Sequence, residues 1–264
     1  MRILVIGLIA LGAVAVSIPQ AQSQSSARPT MANEADFHRG MKELSNWGRW
    51  GNDDELGAAN LITPAKRKQA LALATEDITA TGGCPKGSIN ALKDGVVTRA
   101  ILFDATLLPG KATAQGWLEP GTAIHREDLE ALEKLEHVTV SAGDVILLYT
   151  GRWKRRSALG AWPRETGFAG YHADVAYFLK ERGVSFIGGD GPNDVIPTGL
   201  PASAPNPLHR LALVAMGINI FDNLDFERAV EQARRLNRFE FLFTAAPLRI
   251  EKGTGSPLNP LAIF

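Results

Sequence analysis

The chain has 264 residues, enough for one large domain or two small ones. Its 28 basic and 28 acidic side chains balance. This balance argues against a nucleic-acid-binding or membrane-surface protein, because such proteins need an excess of positive charge. Hydrophobic residues make up 45% and charged residues 21%, which is the composition of a packed globular protein. The single cysteine, Cys84, excludes an internal disulfide and a thiolate-bound zinc or iron–sulfur cluster.

The first residues have the pattern of a secretory signal peptide. One basic residue precedes an apolar run from Ile3 to Ile18, and small residues then predict cleavage after Ser23, with cleavage after Ala21 as the alternative. The run is shorter than the ~20 residues of a membrane-spanning helix, which disfavours an uncleaved anchor. We therefore predict a signal peptide, a flexible leader over 24–39 and one domain over 40–264, in a secreted or periplasmic protein.

Helices and strands are predicted to alternate along this domain. Thr63 is a suitable N-cap for a helix with Pro64 at its first position, and Gly183 is a suitable C-cap for a later one. Leucines three residues apart place one face of the 127–136 helix in the core. The predicted helices cover 63–74, 127–136, 172–182 and 225–236, and the predicted strands cover 100–108, 145–149, 184–187 and 239–250. This alternation indicates an α/β fold.

The glycine-rich string at 189–194, Gly-Asp-Gly-Pro-Asn-Asp, is the most conspicuous motif. It matches the GDGxND signature of haloacid-dehalogenase-type phosphatases, in which the aspartates hold magnesium. Such enzymes also need an aspartyl nucleophile, and Asp104 stands in the correct order but lacks the rest of that motif. Glycine-rich strings are common in α/β loops, so a turn with Asp190 near a site is the favoured interpretation.

The five histidines are not spaced like the imidazole pairs of zinc hydrolases, because no two lie three to five residues apart. His125 begins a charged stretch in which Asp128 can serve the first turn of a helix, so a solvated surface is favoured there. His209 opens an apolar segment that leads to Asp222. A histidine and a carboxylate that flank one apolar element could meet at a metal ion, although an isolated buried histidine is the more common case.

Nucleophilic catalysis by serine or cysteine has little support in the sequence. No Gly-x-Ser-x-Gly elbow is present, which disfavours an α/β-hydrolase triad. Cys84 has no imidazole beside it in the sequence, so a structural thiol is the favoured interpretation.

Many separated blocks of the sequence resemble the bacterial cyclase family, the metal-dependent hydrolases related to kynurenine formamidase and isatin hydrolase. The blocks extend over nearly all of the chain from about residue 40, and they include NWGRWG at 46–51, DDELG at 53–57, NLITP at 60–64, TGRW at 150–153, DNLD at 222–225 and GTGSP at 253–257. In this context the string at 189–194 is the family's loop after a core strand, and the phosphatase interpretation falls away.

The resemblance implies a compact α/β fold of the swivelling β/β/α type, with a mixed sheet flanked by helices. It implies a divalent ion, zinc or manganese, that activates water for attack on the carbonyl carbon of a small amide, formamide or lactam-like substrate. The family's downstream metal ligands match His209 and Asp222, with aspartate in place of the more common glutamate. Asp190 is expected beside the site, and the expected assembly is a homo-oligomer without nucleic acid or membrane as partners.

One block of the family pattern has no counterpart in the chain. The hallmark His-x-x-x-His-x-Asp, followed by another histidine, is expected between the helix at 64–74 and Gly82. Instead, Leu73-Ala74 leads directly into residues 75–78, which normally follow that hallmark. An internal deletion near 74–76 is therefore predicted, and the proton-shuttle histidine and the other catalytic residues have no assignment.

This departure leaves two functions open and has a structural consequence. The chain is either an arylformamidase-like, metal-dependent hydrolase or an exported, catalytically degenerate binding or scaffold protein of the same fold. A deletion beside the site is expected to expose apolar neighbours such as Ile101 and Leu102 and to leave strand edges unpaired. We therefore expect low stability or an oligomer that covers the gap.

Overall fold

A computed structural model describes residues 29–71, 89–250 and 255–264. The predicted signal peptide, part of the leader, the predicted deletion and Cys84 lie outside these ranges. The helices in the described ranges are α1 (Glu34–Glu43), α2 (Pro64–Leu71), α3 (Arg126–Leu135), α4 (Arg152–Leu159), α5 (Val175–Arg182), α6 (Pro207–His209, continued by a π-helix over Arg210–Met216) and α7 (Glu227–Leu236). The strands are β1 (Val96–Asp104), β2 (Ala123–Ile124), β3 (Val145–Tyr149), β4 (Gly170–Tyr171), β5 (Phe186–Gly189), β6 (Asn219–Phe221), β7 (Glu240–Ala245) and β8 (Leu261–Ile263).

Six of these strands form one mixed sheet in the order β6-β5-β3-β1-β7-β8. Strands β6, β5, β3 and β1 are parallel to one another, whereas β7 and β8 are antiparallel to their neighbours. Strands β2 and β4 form a separate two-stranded parallel sheet. The predicted fold class, an α/β fold with a mixed sheet flanked by helices, is confirmed. Because parallel strands end at the same edge of a sheet, the loops after β1, β3, β5 and β6 gather there.

The sheet carries a hydrophobic core on both faces. Side chains alternate along a strand, so Ile101 of β1 packs into a core with α3 and α5, and Leu102 packs into a second core with the start of α7. Both side chains are fully buried, and β1 is paired on both sides by β3 and β7. The expectation that these two residues are exposed is therefore wrong. Exposed apolar side chains at these positions therefore no longer support the homo-oligomer, which stays a prediction.

Several predicted element boundaries differ from the observed ones. Strand β1 begins earlier than predicted and ends at Asp104, because the next residues turn into a short 3₁₀-helix whose Thr106 amide donates to the Asp104 carboxylate. Strand β7 ends before Pro247, which cannot donate a ladder hydrogen bond. Helix α5 begins at Val175, so His172 lies in the preceding loop and not in the helix.

Other local predictions are confirmed. The Lys66 amide donates to the hydroxyl of Thr63 at the start of α2. Gly183 ends α5 with φ of 66°, in the left-handed region that favours glycine. Helix α3 buries Leu129 and Leu132, but Leu135 is 48% exposed, so only two of the three leucines predicted to face the core do so. Among the described residues, no helix combines the length and apolar character that crossing a bilayer requires.

Candidate functional site

His209 and Asp222, the two predicted metal ligands, lie beside each other at the carboxyl edge of the large sheet. Asp222 directly follows β6, and His209 is the last residue of α6 before its π-helical continuation. The His209 Nε2 atom lies 3.2 Å from Oδ2 of Asp222. The tertiary structure therefore brings together two side chains that the sequence places at opposite ends of an apolar segment.

The loop after β5 holds the Asp222 carboxylate in position. The amide of Asn223 donates to the carbonyl of Gly191 at 3.0 Å, so the loops after β5 and β6 run side by side. The side-chain Nδ2 of Asn193 donates to Oδ1 of Asp222 at 2.7 Å and to the carbonyl of Phe221 at 2.9 Å. These bonds engage one oxygen of Asp222 and leave the other for the histidine.

A buried aspartate, Asp194, orients the His209 ring. Its carboxylate accepts the backbone amides of Leu208 at 2.7 Å and His209 at 3.2 Å, at the beginning of α6. The same carboxylate lies 2.6 Å from Nδ1 of His209 and is only 2% exposed. A carboxylate that holds one ring nitrogen fixes the tautomer and leaves the other nitrogen as a ligand atom, as in carboxylate–histidine–metal arrangements. Here Nε2 is that free atom, and it faces Asp222.

The resulting Asp–His–Asp cluster (Asp194, His209 and Asp222) favours positive charge. Burial opposes the charged form of His209, but hydrogen bonds to Asp194 and Asp222 outweigh it and raise its pKa to about 9. Burial acts to raise the pKa of Asp222, but hydrogen bonds from His209 and Asn193 outweigh it, so the pKa lies below its ordinary value. The site therefore stabilises a cation at Nε2, whether the cation is a proton or a metal ion.

Asp190, predicted to lie near the site, is fully buried in the same loop. It accepts hydrogen bonds from the amide of Thr150 at 2.9 Å, from the Thr150 hydroxyl at 2.7 Å and from the amide of Arg152 at 3.1 Å. Burial raises its pKa to about 6 against the effect of these bonds. These contacts connect the loops after β3 and β5 at the start of α4. Asp190 thus positions the loop that carries the Asp–His–Asp cluster, and a chemical role for it stays a prediction.

The donor set of His209 and Asp222 fits part of a metal site. One imidazole nitrogen and one carboxylate oxygen at this separation are compatible with a zinc or manganese ion, which takes at least three protein ligands in a catalytic zinc site. In residues 29–71, 89–250 and 255–264, the one group of three histidine, cysteine or acidic side chains close enough to share an ion lies elsewhere. The place expected for the family's hallmark ligands lies in residues 72–88, outside the described ranges.

That other group consists of His125, His172 and Asp174. The Nδ1 atoms of His125 and His172 lie 2.7 and 3.0 Å from the same oxygen, Oδ2 of Asp174. The His125 side chain is 41% exposed and its ring contacts both partners, so the solvated surface predicted for it also contributes to this group. Asp128 does serve the first turn of α3, as predicted, by accepting the amide of His125 at 2.7 Å.

Sequence reasoning missed four of these side chains. Asn193 and Asp194 were interpreted as turn formers, although the string at 189–194 does contain a site. Asn193 adopts φ of 55°, the left-handed conformation typical of a turn asparagine, and still uses its side chain to bind Asp222. His172 and Asp174 had no signal, because their partner His125 lies 49 residues from Asp174 in the chain.

The chain is similar to one protein family and to several solved structures. Residues 68–193 match the model of the family described as "Putative cyclase". The structure is similar to the crystal structure of a novel cyclase, with a TM-score of 0.70 and 21% identity over 84% of this chain and 98% of that one. It is also similar to an isatin hydrolase bound to the product analogue thioisatinate, with a TM-score of 0.50 and 22% identity over 66% of this chain and 64% of that one.

A third similar structure is a potential metal-dependent hydrolase with cyclase activity, with a TM-score of 0.45 and 21% identity over 73% of this chain and 74% of that one. No curated protein sequence matches the chain. The family match and the novel-cyclase fold confirm the resemblance stated from the sequence blocks.

Proposed function

We propose that the chain is a cyclase-family, metal-dependent hydrolase of a small amide, formamide or cyclic, lactam-like substrate, with arylformamidase-like chemistry. The observation that carries the proposal is the His209–Asp222 pair, whose Nε2 and Oδ2 atoms converge at the carboxyl edge of the sheet. Ligands of open α/β sheets bind at this edge, which supports the same location for a substrate.

In this proposal each side chain of the cluster has its own role. His209 Nε2 and Asp222 Oδ2 hold a divalent ion, zinc or manganese. When bound, such an ion polarises a carbonyl oxygen and lowers the pKa of water. Asp194 retains the proton on Nδ1 of His209, so that a metal ion at Nε2 would displace only the proton that Nε2 carries at neutral pH. Asn193 orients the carboxylate of Asp222 through its amide group.

A second function is favoured by one specific observation. The described residues bring only His209 and Asp222 together at this edge, which is fewer than the three protein ligands of a catalytic zinc site. An exported, catalytically degenerate binding or scaffold protein would have the same fold and would need no complete ligand set. The two functions differ in whether the purified protein retains metal and turns over a substrate.

The test uses the full chain loaded with Zn²⁺ or Mn²⁺ and freed of excess ion. Metal content is measured by mass spectrometry, and hydrolysis of N-formylkynurenine and of isatin is followed by absorbance. We expect turnover that His209→Gln and Asp222→Asn abolish. His38→Gln is the matched control, because His38 on α1 is 66% exposed and pairs only with Glu34 among the contacts of the described residues.

The outcomes separate the two functions. Turnover that disappears in both site variants and persists in the control supports the hydrolase. Metal-free protein without turnover above the His209→Gln background contradicts the hydrolase and favours the scaffold. Turnover that His209→Gln leaves unchanged would show that the activity does not depend on this pair.

We further propose that the protein is exported and forms a homo-oligomer. The apolar run from Ile3 to Ile18 supports export, with cleavage after Ser23. Sequencing the amino terminus of the mature protein tests the cleavage site, and a full-length amino terminus in the purified native protein would contradict it. Light scattering of the eluted protein gives the mass, and a strictly monomeric mass at high concentration would contradict the oligomer.

A further inference from the structure

We propose that His125, His172 and Asp174 form a second metal site, specific for a divalent transition-metal ion of the zinc class, at the carboxyl end of the small β2–β4 sheet. This His–Asp–His cluster (His125, Asp174 and His172) shares no residue with the Asp–His–Asp cluster. The inference therefore does not depend on the proposed hydrolase activity.

The pairing of β2 with β4 builds the cluster. The parallel register places Ile124 opposite Tyr171, so the next residue of each strand, His125 and His172, emerges at the same end. The amide of His172 donates to the carbonyl of Ile124 at 2.8 Å, which continues the pairing past the strands. The two imidazole rings lie 4.5 Å apart between their centroids, with a tilt of 41°. Two ligand-type side chains thus face the same space.

The carboxylate of Asp174 completes the set from the loop before α5. Its Oδ1 atom accepts the amide of Arg126 at 3.3 Å, and this bond turns Oδ2 toward both rings. Oδ2 lies 2.7 Å from Nδ1 of His125 and 3.0 Å from Nδ1 of His172, and the three ligand atoms lie within 4.8 Å of one another. Zn–N and Zn–O bonds of about 2.0–2.1 Å in a tetrahedron separate ligand atoms by about 3.3 Å. The two nitrogen–oxygen distances therefore need to lengthen by less than about 1 Å to reach that separation.

The cluster also has the donor set of an open zinc site. Two neutral imidazoles and an ionised carboxylate around a divalent ion form a common ligand set of open zinc sites. The amide of Asp174 lies 3.3 Å from Nδ1 of His172, a long contact that a metal–nitrogen bond can replace.

The surroundings leave room for an ion and its remaining ligands. A cavity of about 430 Å³ adjoins His172 and Asp174 and is also lined by Glu127 and residues 29–32. Arg126 also lines this cavity, and its guanidinium binds carboxylates of Glu130 and Glu181 at 2.6 to 2.9 Å, so its positive charge is balanced. The cluster therefore has three protein ligands and an open side that water or a small anionic ligand can occupy.

The experiment uses Co²⁺ as a spectroscopic probe and the His209→Gln protein as the parent, so that the Asp–His–Asp cluster does not contribute. Titration with Co²⁺ is expected to show one equivalent bound, with visible absorption bands of a four- or five-coordinate ion. Adding His125→Gln or Asp174→Asn should weaken binding at least about 100-fold, since loss of an outer-shell partner alone costs 10–100-fold. Adding His137→Gln, in the exposed turn after α3, should leave binding unchanged.

A second measurement guards against misfolding of a variant. Zn²⁺ should raise the melting temperature of the His209→Gln parent and fail to raise that of the His125→Gln double variant, whose melt without metal should match the parent. The half-exposed His125 is the safer substitution if Asp174→Asn proves unstable. Absence of Co²⁺ binding in the parent, or equal binding in the His125→Gln double variant, would overturn the proposal.

Discussion

The two histidine–carboxylate clusters of this protein are built inversely. The Asp–His–Asp cluster places one imidazole between two carboxylates, whereas the His–Asp–His cluster places one carboxylate between two imidazoles. The first arrangement raises the pKa of His209 to about 9, and the second lowers the pKa of Asp174, because its hydrogen bonds to His172 and His125 outweigh the effect of burial. In both clusters the pKa of a carboxylate is lowered, and in the first the pKa of the central histidine is raised as well.

The clusters also differ in how deeply their aspartates are buried in the surrounding structure. Asp194 is 2% exposed and its carboxylate receives two backbone amides at the start of α6, so it belongs to the packed core of the large sheet. Asp174 is 19% exposed and lies beside a cavity. A buried carboxylate contributes both to stability and to site geometry, whereas a half-buried one contributes mainly to the site.

The largest effect is expected for Asp194→Asn. The substitution removes a buried charge and disturbs three hydrogen bonds, so the free energy of unfolding in urea should fall by about 3 kcal/mol. Asp225→Asn is the control, because among the described residues the exposed Asp225 carboxylate accepts only the Glu227 amide in the turn before α7, and the substitution should cost under about 1 kcal/mol. Equal losses in the two variants would show that the Asp–His–Asp cluster is not part of the core.

Glu136 extends the comparison, because it is a carboxylate with no cationic partner among the described residues. Glu136 is buried, and its described hydrogen bond comes from the Asp104 amide. Burial raises its pKa to about 8 against that bond. The folded state then holds a proton that the unfolded state releases near pH 4.5, so stability should fall as the pH rises from about 4.5 to about 8.

This pH effect is expected to reach about 2 kcal/mol. Urea unfolding of Glu136→Gln at pH 5 and pH 8.5 should show a smaller decrease than the parent. Glu181→Gln is the control, because it changes an exposed carboxylate that binds Arg126. Its free energy of unfolding should fall as much as that of the parent. A parent whose stability rises over this range would contradict the raised pKa.

A smaller effect is expected for Asp174→Asn in the metal-free protein. Since the pKa of Asp174 is lowered in the folded state, its contribution is present at neutral pH and disappears as the pH falls through that lowered value, below 3.8. We expect a loss of about 1 kcal/mol at pH 7, measured by urea unfolding, and a smaller loss at a pH below that lowered value. A difference that stays constant with pH would indicate a packing effect.

The smallest effect on stability is expected for Asp222→Asn, because this carboxylate is 39% exposed. Above about pH 9.5, where His209 is mostly neutral with or without this partner, the free energy of unfolding should change by less than about 0.5 kcal/mol. The pKa of His209 in the metal-free protein should move from about 9 toward 6.5, as followed by NMR of the ring protons. Asp174→Asn should leave the His209 titration in place, and a His209 pKa that does not respond to Asp222→Asn would contradict the hydrogen bond between them.

Sequence patterns predicted most elements of the fold and one pair of site residues. Strand β3 is correct to the residue, and α5 ends at Gly183 as predicted, because buried apolar runs and glycine caps act locally. His209 and Asp222 could be paired because one apolar segment connects them and the family blocks point to both. Strand β1 was displaced, since Leu107 and Leu108 continue the apolar run after the strand has ended at Asp104.

What the sequence alone determined is the α/β fold, the resemblance to the cyclase family and the His209–Asp222 pair, because these depend on hydrophobic periodicity, caps and motifs within short segments. Only the tertiary structure decided that Asp194 orients His209 and that Asp174 joins His125 and His172. Those contacts arise where separate strands end at the same edge, and strand pairing between distant segments leaves no local pattern in the chain. The inverse arrangement of the two clusters follows from that pairing and not from the residue types themselves.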